Sequence, residues 1–311
     1  MVSRLGTDVL IQPEGAYVRD ALLKGINLEY QQGFNPFKFG VIGSSDNHNA
    51  THVGDEDDYY GVSGVLDSDA QRRGAIPLDT PMPDGSLYFD RYSRFSASGL
   101  TGVWAEENTR EAIYDAFRRK ETFGTSGPRM KVRFFSGYDL PAIEDDNLIT
   151  QAYENGVTMG AELFATSDSI PSFIAWVAKD PNSAPLQRLQ IIKGWVEEGE
   201  MHERVYDVAC SDEISIDPAT NRCGDNGAIV NLDDCSISAD LGATELKTKW
   251  LDPDYDPSHN AFYYVRALEN PSCRWSTWDA IRAGAEPRED IPPTIQERLW
   301  SSPIWIIPET K

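Results

Sequence analysis

The sequence predicts an α+β protein in which an α/β region precedes a β-rich, sandwich-like region. Three observations carry this. A helical pattern over residues 14–33 runs directly into a short apolar stretch, Lys38 to Ile42, and a Gly-Ser-Ser turn. A second strand-then-helix pattern follows at residues 99–120. From Lys131 onward the apolar residues fall into β-like runs separated by Gly, Pro, Asp and Asn. The change of pattern divides the chain into residues 1–130 and 131–311.

Composition narrows the function classes. A chain of 311 residues with 40% hydrophobic and 25% charged residues can bury a sizeable core. The net charge of -22 repels nucleic acid and anionic membranes, which argues against both as partners. The acidity itself reads as an adaptation for solubility or high salt. No apolar run is long enough to cross a membrane as a helix, and Met1 to Gln12 has no apolar segment of the signal-peptide kind. Cys210, Cys223, Cys235 and Cys273 form no Cys-x-x-Cys pair. Their even number suits one or two disulfides in an exported protein, periplasmic or extracellular, with the pairing left open.

Each element has its own signal. Over residues 14–33, Ala16, Val18, Ala21, Leu22, Leu23, Ile26 and Leu28 recur at helical spacing, and Gly33 stands where a C-cap belongs. Lys38 to Ile42 reads as a strand. It stops at Gly43-Ser44-Ser45 and then presents Asp46 and His48. Residues two apart in an extended continuation point the same way, so one carboxylate and one imidazole converge, a pair suited to a divalent metal. Two ligands do not close a site. His48 and His52 would instead share a face if residues 47–53 were helical.

An acidic run, Gly54 to Gly61, leads into a Pro/Gly/Ser-rich stretch. Residues 62–98 read as one long loop, of the kind that serves as a lid or binding loop. Gly99 to Trp104 reads as a strand, and Asn108 with Glu111 as the capping box of a helix from Thr109 to Lys120. Its expected buried face is Ala112, Ile113, Ala116 and Phe117. Glu106 and Glu107 at the strand end and Arg129 beyond the helix are candidate pocket residues. In the β-rich region, the runs at residues 132–134, 173–177, 189–196 and 261–267 predict strands, and the tail with Trp275, Trp278, Trp300 and Trp305 predicts a segment packed back over the body.

Several chemistries lack their residues. The chain has no Gly-x-Ser-x-Gly elbow, no Walker A and no Gly-x-Gly-x-x-Gly. Asp252-Pro253-Asp254-Tyr255-Asp256 opens like a calcium loop but continues with Pro257 where glycine is needed. Asn49-Ala50-Thr51 matches a glycosylation pattern by chance.

Phe39-Gly40-Val41-Ile42-Gly43-Ser44-Ser45-Asp46-Asn47-His48-Asn49 resembles the last metal-binding segment of the polymerase-and-histidinol-phosphatase (PHP) superfamily. The segments at residues 35–40, 104–112, 119–129 and 274–280 are similar to a bacterial family of uncharacterised proteins, domain-of-unknown-function family 3604, whose catalytic part is PHP-like. That resemblance implies that residues 1–130 are the C-terminal part of a distorted α/β barrel. It also implies hydrolysis of phosphate esters with divalent metals (Zn, Mn or Fe), Asp46 and His48 being ligands. The family pattern departs in one respect: no His-x-His segment occurs, and no histidine precedes His48. The resemblance therefore implies an incomplete chain with a weak site, little activity alone on its small-molecule substrate, and completion by self-association. A second reading is a non-catalytic β-rich module that binds a partner or glycan through the aromatic tail, Trp275 and Trp278.

Overall fold

The computed structural model describes Gly15, residues 17–89 and residues 95–308. The N-terminal stretch read for a signal peptide, the first turn of the expected helix at residue 14 with Ala16, and part of the 62–98 loop lie outside the described residues.

The helices are α1 (Val18–Gln32), α2 (Ala70–Arg73), α3 (Arg110–Arg119), α4 (Leu148–Asn155) and α5 (Trp275–Ala283). The strands come in two groups along the chain. The first comprises β1 (Leu100–Val103), β2 (Thr122–Thr125), β3 (Lys131–Gly137), β4 (Val157–Thr158), β5 (Glu162–Phe164), β6 (Ser172–Ala178), β7 (Leu186–Glu197) and β8 (Glu200–Cys210). The second comprises β9 (Ile216–Asp217), β10 (Arg222–Cys223), β11 (Glu245–Leu251), β12 (Ala261–Glu269), β13 (Ser272–Cys273), β14 (Thr294–Ile295), β15 (Arg298–Ser301) and β16 (Ile304–Ile307).

Two mostly antiparallel sheets make a sandwich. In the large sheet β12 pairs with β7 on one edge, and β7 pairs with β8. The other edge of β12 takes β15 and β16 in succession, as one strand interrupted at Ser302-Pro303. Proline cannot donate to a ladder. The hydroxyl of Ser301 accepts the Val265 N–H at 2.9 Å, which satisfies that donor beside the break. β2 and then β1 extend the sheet from β15, and β5 runs parallel to β16. The small sheet has the order β11-β6-β3-β4.

Strand alternation builds the core between them. Val132, Phe134, Phe173, Ala175 and Val177 face Leu189, Ile191, Tyr263, Val265 and Leu299, all buried. The Phe173 and Tyr263 rings meet at 4.4 Å. Behind the large sheet, α1 seats Leu22 and Ile26 on Ile192, Phe262 and Trp305. Behind the small sheet, α4 packs Leu148 and Ala152 on Phe135 and Ile174. The layers therefore run helix, sheet, sheet, helix. The sandwich expected of the β-rich region is formed, and β1 and β2 from before residue 130 belong to its large sheet. No closed barrel is formed among the described residues.

Several local expectations are met and others corrected. α1 ends at Gly33 in the left-handed region (φ 78°), its N–H on the Glu29 carbonyl. Both disulfides exist, Cys210–Cys223 and Cys235–Cys273. The cap of α3 is Thr109, whose hydroxyl accepts the Ala112 N–H, in place of Asn108. Phe117 is 45% exposed, so only Ala116 of the expected face is fully buried. Lys38 to Ile42 has no regular secondary structure and joins no sheet. It crosses the ends of β1 and β2, where its polar groups find side chains: Val41 N–H donates to the Ser302 hydroxyl and the Thr101 hydroxyl to the Gly43 carbonyl. Gly124 permits this crossing, because a Cβ there would sit 2.7 Å from Gly43 N. The tail contains a helix, α5, that periodicity did not reveal.

α5 organises the loops. Arg73 makes a two-pronged contact with Asp279, both bonds at 2.8 Å, with both side chains about nine-tenths buried. Glu56 reaches the N-terminus of α5 and accepts the Trp275 N–H at 2.7 Å, and it also accepts the Ala97 N–H. Trp275 itself is 1% exposed against Tyr59, so it is a core residue and offers no binding platform. Trp278 carries the Arg282 guanidinium at 5.2 Å. Removing one partner of a buried ion pair leaves the other charged and unpaired. Asp279→Ala is expected to cost about 3–5 kcal/mol in urea unfolding, and adding Arg73→Met should recover part of that loss.

Candidate functional site

Asp46 and His48 do converge. His48 Nε2 lies 3.6 Å from Asp46 Oδ1, with the side chains 67% and 74% exposed. The backbone at Asp46 takes φ 50°, and Ala50 φ 55°, left-handed conformations that bend the loop back on itself. Asp tolerates this region better than most residues because its short polar side chain bonds locally.

The loop is tied down by its own asparagines. Ser45 Oγ accepts the Asn47 N–H, and Asn47 Oδ1 accepts the Asn49 N–H. His48 N–H donates to the Val62 carbonyl at 2.8 Å, and Asn49 Oδ1 accepts the Gly64 N–H. Residues 61–64 are held in turn by the buried Asp67, whose carboxylate accepts Val62 and Ser63 N–H groups at 2.6 and 2.7 Å. Arg73 donates to the Asp67 carbonyl and so links this turn to Asp279 on α5. An exposed pair of donor groups thus stands on a chain of bonds that ends in a buried ion pair.

The donor set is short. Two atoms bound to one tetrahedral ion at about 2.1 Å would stand about 3.4 Å apart, so the Asp46–His48 spacing fits two corners of a site. Among the described residues no group of three or more His, Cys, Asp or Glu side chains is arranged to hold a metal ion. His52 is turned away, its Nε2 at 3.0 Å from the Ser98 carbonyl, and residues 47–53 form no helix. Glu106 and Glu107 are exposed in the turn before α3. Arg129 is exposed, and its N–H donates to the Asp180 carboxylate at 2.6 Å. No hydrogen bond or ion pair joins these three residues to Asp46 or His48 among the described residues.

Sequence reasoning missed a second group of acids. Glu269 and Glu297 are 1% and 4% exposed. Ser183 donates to the first and Ser126 to the second, while one oxygen of each has no partner. Burial pushes both carboxyls up to about 8, and Glu56 beside Glu297 adds to its shift. At neutral pH both are mostly protonated acids. Charge runs mark neither residue. They lie at the end of β12 and just before β15, brought together by the pairing of Glu269 N–H with the Glu297 carbonyl.

A protein-family model described as Protein of unknown function (DUF3604) matches residues 3–308. No curated protein and no solved structure matches the chain.

The buried acids set a pH dependence of stability. A carboxyl whose folded-state pKa lies above its unfolded value binds more protons when folded. Its contribution is fully present below the unfolded value near 4.5 and is lost as pH rises through about 8. The thermal midpoint is therefore expected to fall between pH 5 and pH 8.5, and the Glu269→Gln/Glu297→Gln protein should show a flatter profile over that interval.

Proposed function

The chain belongs to the DUF3604 family, and on that premise we propose that it is a metal-dependent phosphoester hydrolase of the PHP type. In this reading Asp46 and His48 contribute two ligands of a centre whose other ligands come from outside the described residues, from a partner segment or a second copy. The observation that supports it is the 3.6 Å convergence of the two side chains on an exposed loop. Exposed donors with a fixed backbone suit a site completed from outside.

A divalent ion held by Asp46 and His48, zinc, manganese or iron, would supply positive charge for a phosphoryl oxygen and would acidify a water near neutral pH. The chain's own part is to hold the carboxylate and imidazole at one point and to keep the loop from collapsing. Glu106, Glu107 and Arg129 are assigned no ligand role.

Apolar surface near this region favours assembly. Ile42, four positions before Asp46, is 61% exposed, and Tyr114 and Phe117 of α3 are 59% and 45% exposed. The same proposal includes an oxidising location, periplasmic or extracellular, because two disulfides are formed. No helix among the described residues is long and apolar enough to cross a membrane.

The test is elemental analysis of protein purified without chelators, beside the Asp46→Ala/His48→Ala variant. Bound metal that disappears in the variant is the expected result, with turnover of p-nitrophenyl phosphate and its diester near background for the monomer. Absence of metal, or metal retained by the variant, would overturn the assignment. Sustained turnover by a monomer would overturn the external-ligand part.

A further inference from the structure

The outer face of the small sheet gathers basic residues around a tryptophan. Along β3, Val132 and Phe134 point into the sandwich core while Lys131 and Arg133 alternate to the other side. Along β11, Leu246 and Trp250 pack on the core while Lys247 and Lys249, with the acidic Glu245 at the strand's start, alternate outward. β6 lies between them. Its Trp176 is in register with Arg133 on one side and Lys247 on the other, and its Ala178 is in register with Lys131.

The geometry around Trp176 is specific. Lys247 Nζ stands 4.9 Å from the Trp176 ring centre. Arg133 lies flat on Trp104 at 3.4 Å and donates to the Tyr153 hydroxyl at 2.6 Å, which in turn bonds the buried Glu121. Trp104 is fixed from behind by Phe123 and by its indole N–H on the Val132 carbonyl at 2.7 Å. Between these walls, with Ile149 of α4 on one side, lies a cleft of about 260 Å³. That volume is just below the roughly 300–1,000 Å³ of enclosed small-molecule sites. An open cleft of this size suits one unit of a longer chain.

Charge defines the ligand. The protein has 50 acidic and 28 basic side chains, yet neither Lys131 nor Lys247 makes an ion pair among the described residues. Lys249 is different, since its Nζ is held by the Leu140 carbonyl. Screening over about 8 Å at physiological ionic strength confines the repulsion of the remaining acidic surface, so a local basic patch keeps its attraction for an anion. An indole supplies a flat apolar face for the C–H side of a sugar ring, and flanking cations supply the partners for its acidic group.

We propose that this face binds an acidic glycan, one sugar ring lying over Trp176 and its carboxylate or sulfate group meeting Lys131, Arg133 and Lys247. The site is separate from Asp46 and His48 and does not depend on their role.

Affinity gel electrophoresis of the whole chain tests it, with polygalacturonate, dextran sulfate and neutral dextran as the probes. Retardation by at least one of the two acidic polymers, weakening as salt rises, and none by dextran is expected; the polymer that binds identifies the acidic group. Lys131→Ser/Lys247→Ser and Trp176→Ala should each weaken retardation about tenfold or more. The lysine variant alters exposed side chains and serves if Trp176→Ala fails to fold. No retardation by either acidic polymer, equal retardation of the lysine variant, or equally strong retention of a poly-thymidine strand by the same residues would overturn the proposal.

Discussion

The contact on which the loops of this protein depend is the buried ion pair of Arg73 with Asp279. Residues 46–76 have short helices and one small apolar cluster, Val53, Tyr59 and Ala75 against Trp275. Both this cluster and their polar groups close onto one helix more than 200 positions later in the chain (206 for the ion pair). Arg73 serves both Asp279 and the Asp67 carbonyl, and Asp67 in turn caps the turn under His48. Glu56 adds a second anchor at the N-terminus of the same helix. Low dielectric strengthens each of these bonds and makes each costly to leave unmade. The exposed Asp46–His48 pair therefore owes its geometry partly to bonds that run back to a largely buried ion pair.

The sandwich supplies the rigid body for this arrangement. Its sheets bury an aromatic and aliphatic layer, and one wholly buried cation, Lys193, is matched by Asp252 at 2.6 Å with Tyr263 donating to the same carboxylate. β12 is the central element. It bonds β7 along one edge and β15 with β16 along the other. Because β15 also carries β2, the early part of the chain is built into the same sheet as the late part. This leaves the small sheet to present an outer face that is only partly covered by α4, and there the basic residues and Trp176 stand.

The loops and the small sheet differ in chemical character. The loops are held by buried acids that accept N–H groups or pair with arginine, as at Glu56 and Asp279, while Asp46 is exposed, and Glu269 and Glu297, where β12 and β15 meet, are buried and mostly protonated. The outer face of the small sheet carries Lys131, Arg133, Lys247 and Lys249, with Glu245 two residues from Lys247 on β11 and Glu121 linked to Arg133 through Tyr153.

The sequence by itself determined the elements whose physics is local. The spacing of apolar residues and Gly33 set α1, and β-like runs set β3, β6, β7 and β12. Even cysteine usage pointed to disulfides, although not to their pairing. What only the tertiary structure decided is non-local. Lys38 to Ile42 has the composition of a strand, but the Ser302 hydroxyl took the Val41 N–H that a ladder would have used. Trp275 reads as one of several tail aromatics, and its burial depends on Tyr59 and on Glu56 bonding its N–H. Glu269 and Glu297 look like ordinary surface acids in the sequence. Their burial follows from where β12 and β15 meet, because desolvation is a property of the packed neighbourhood and not of the residue.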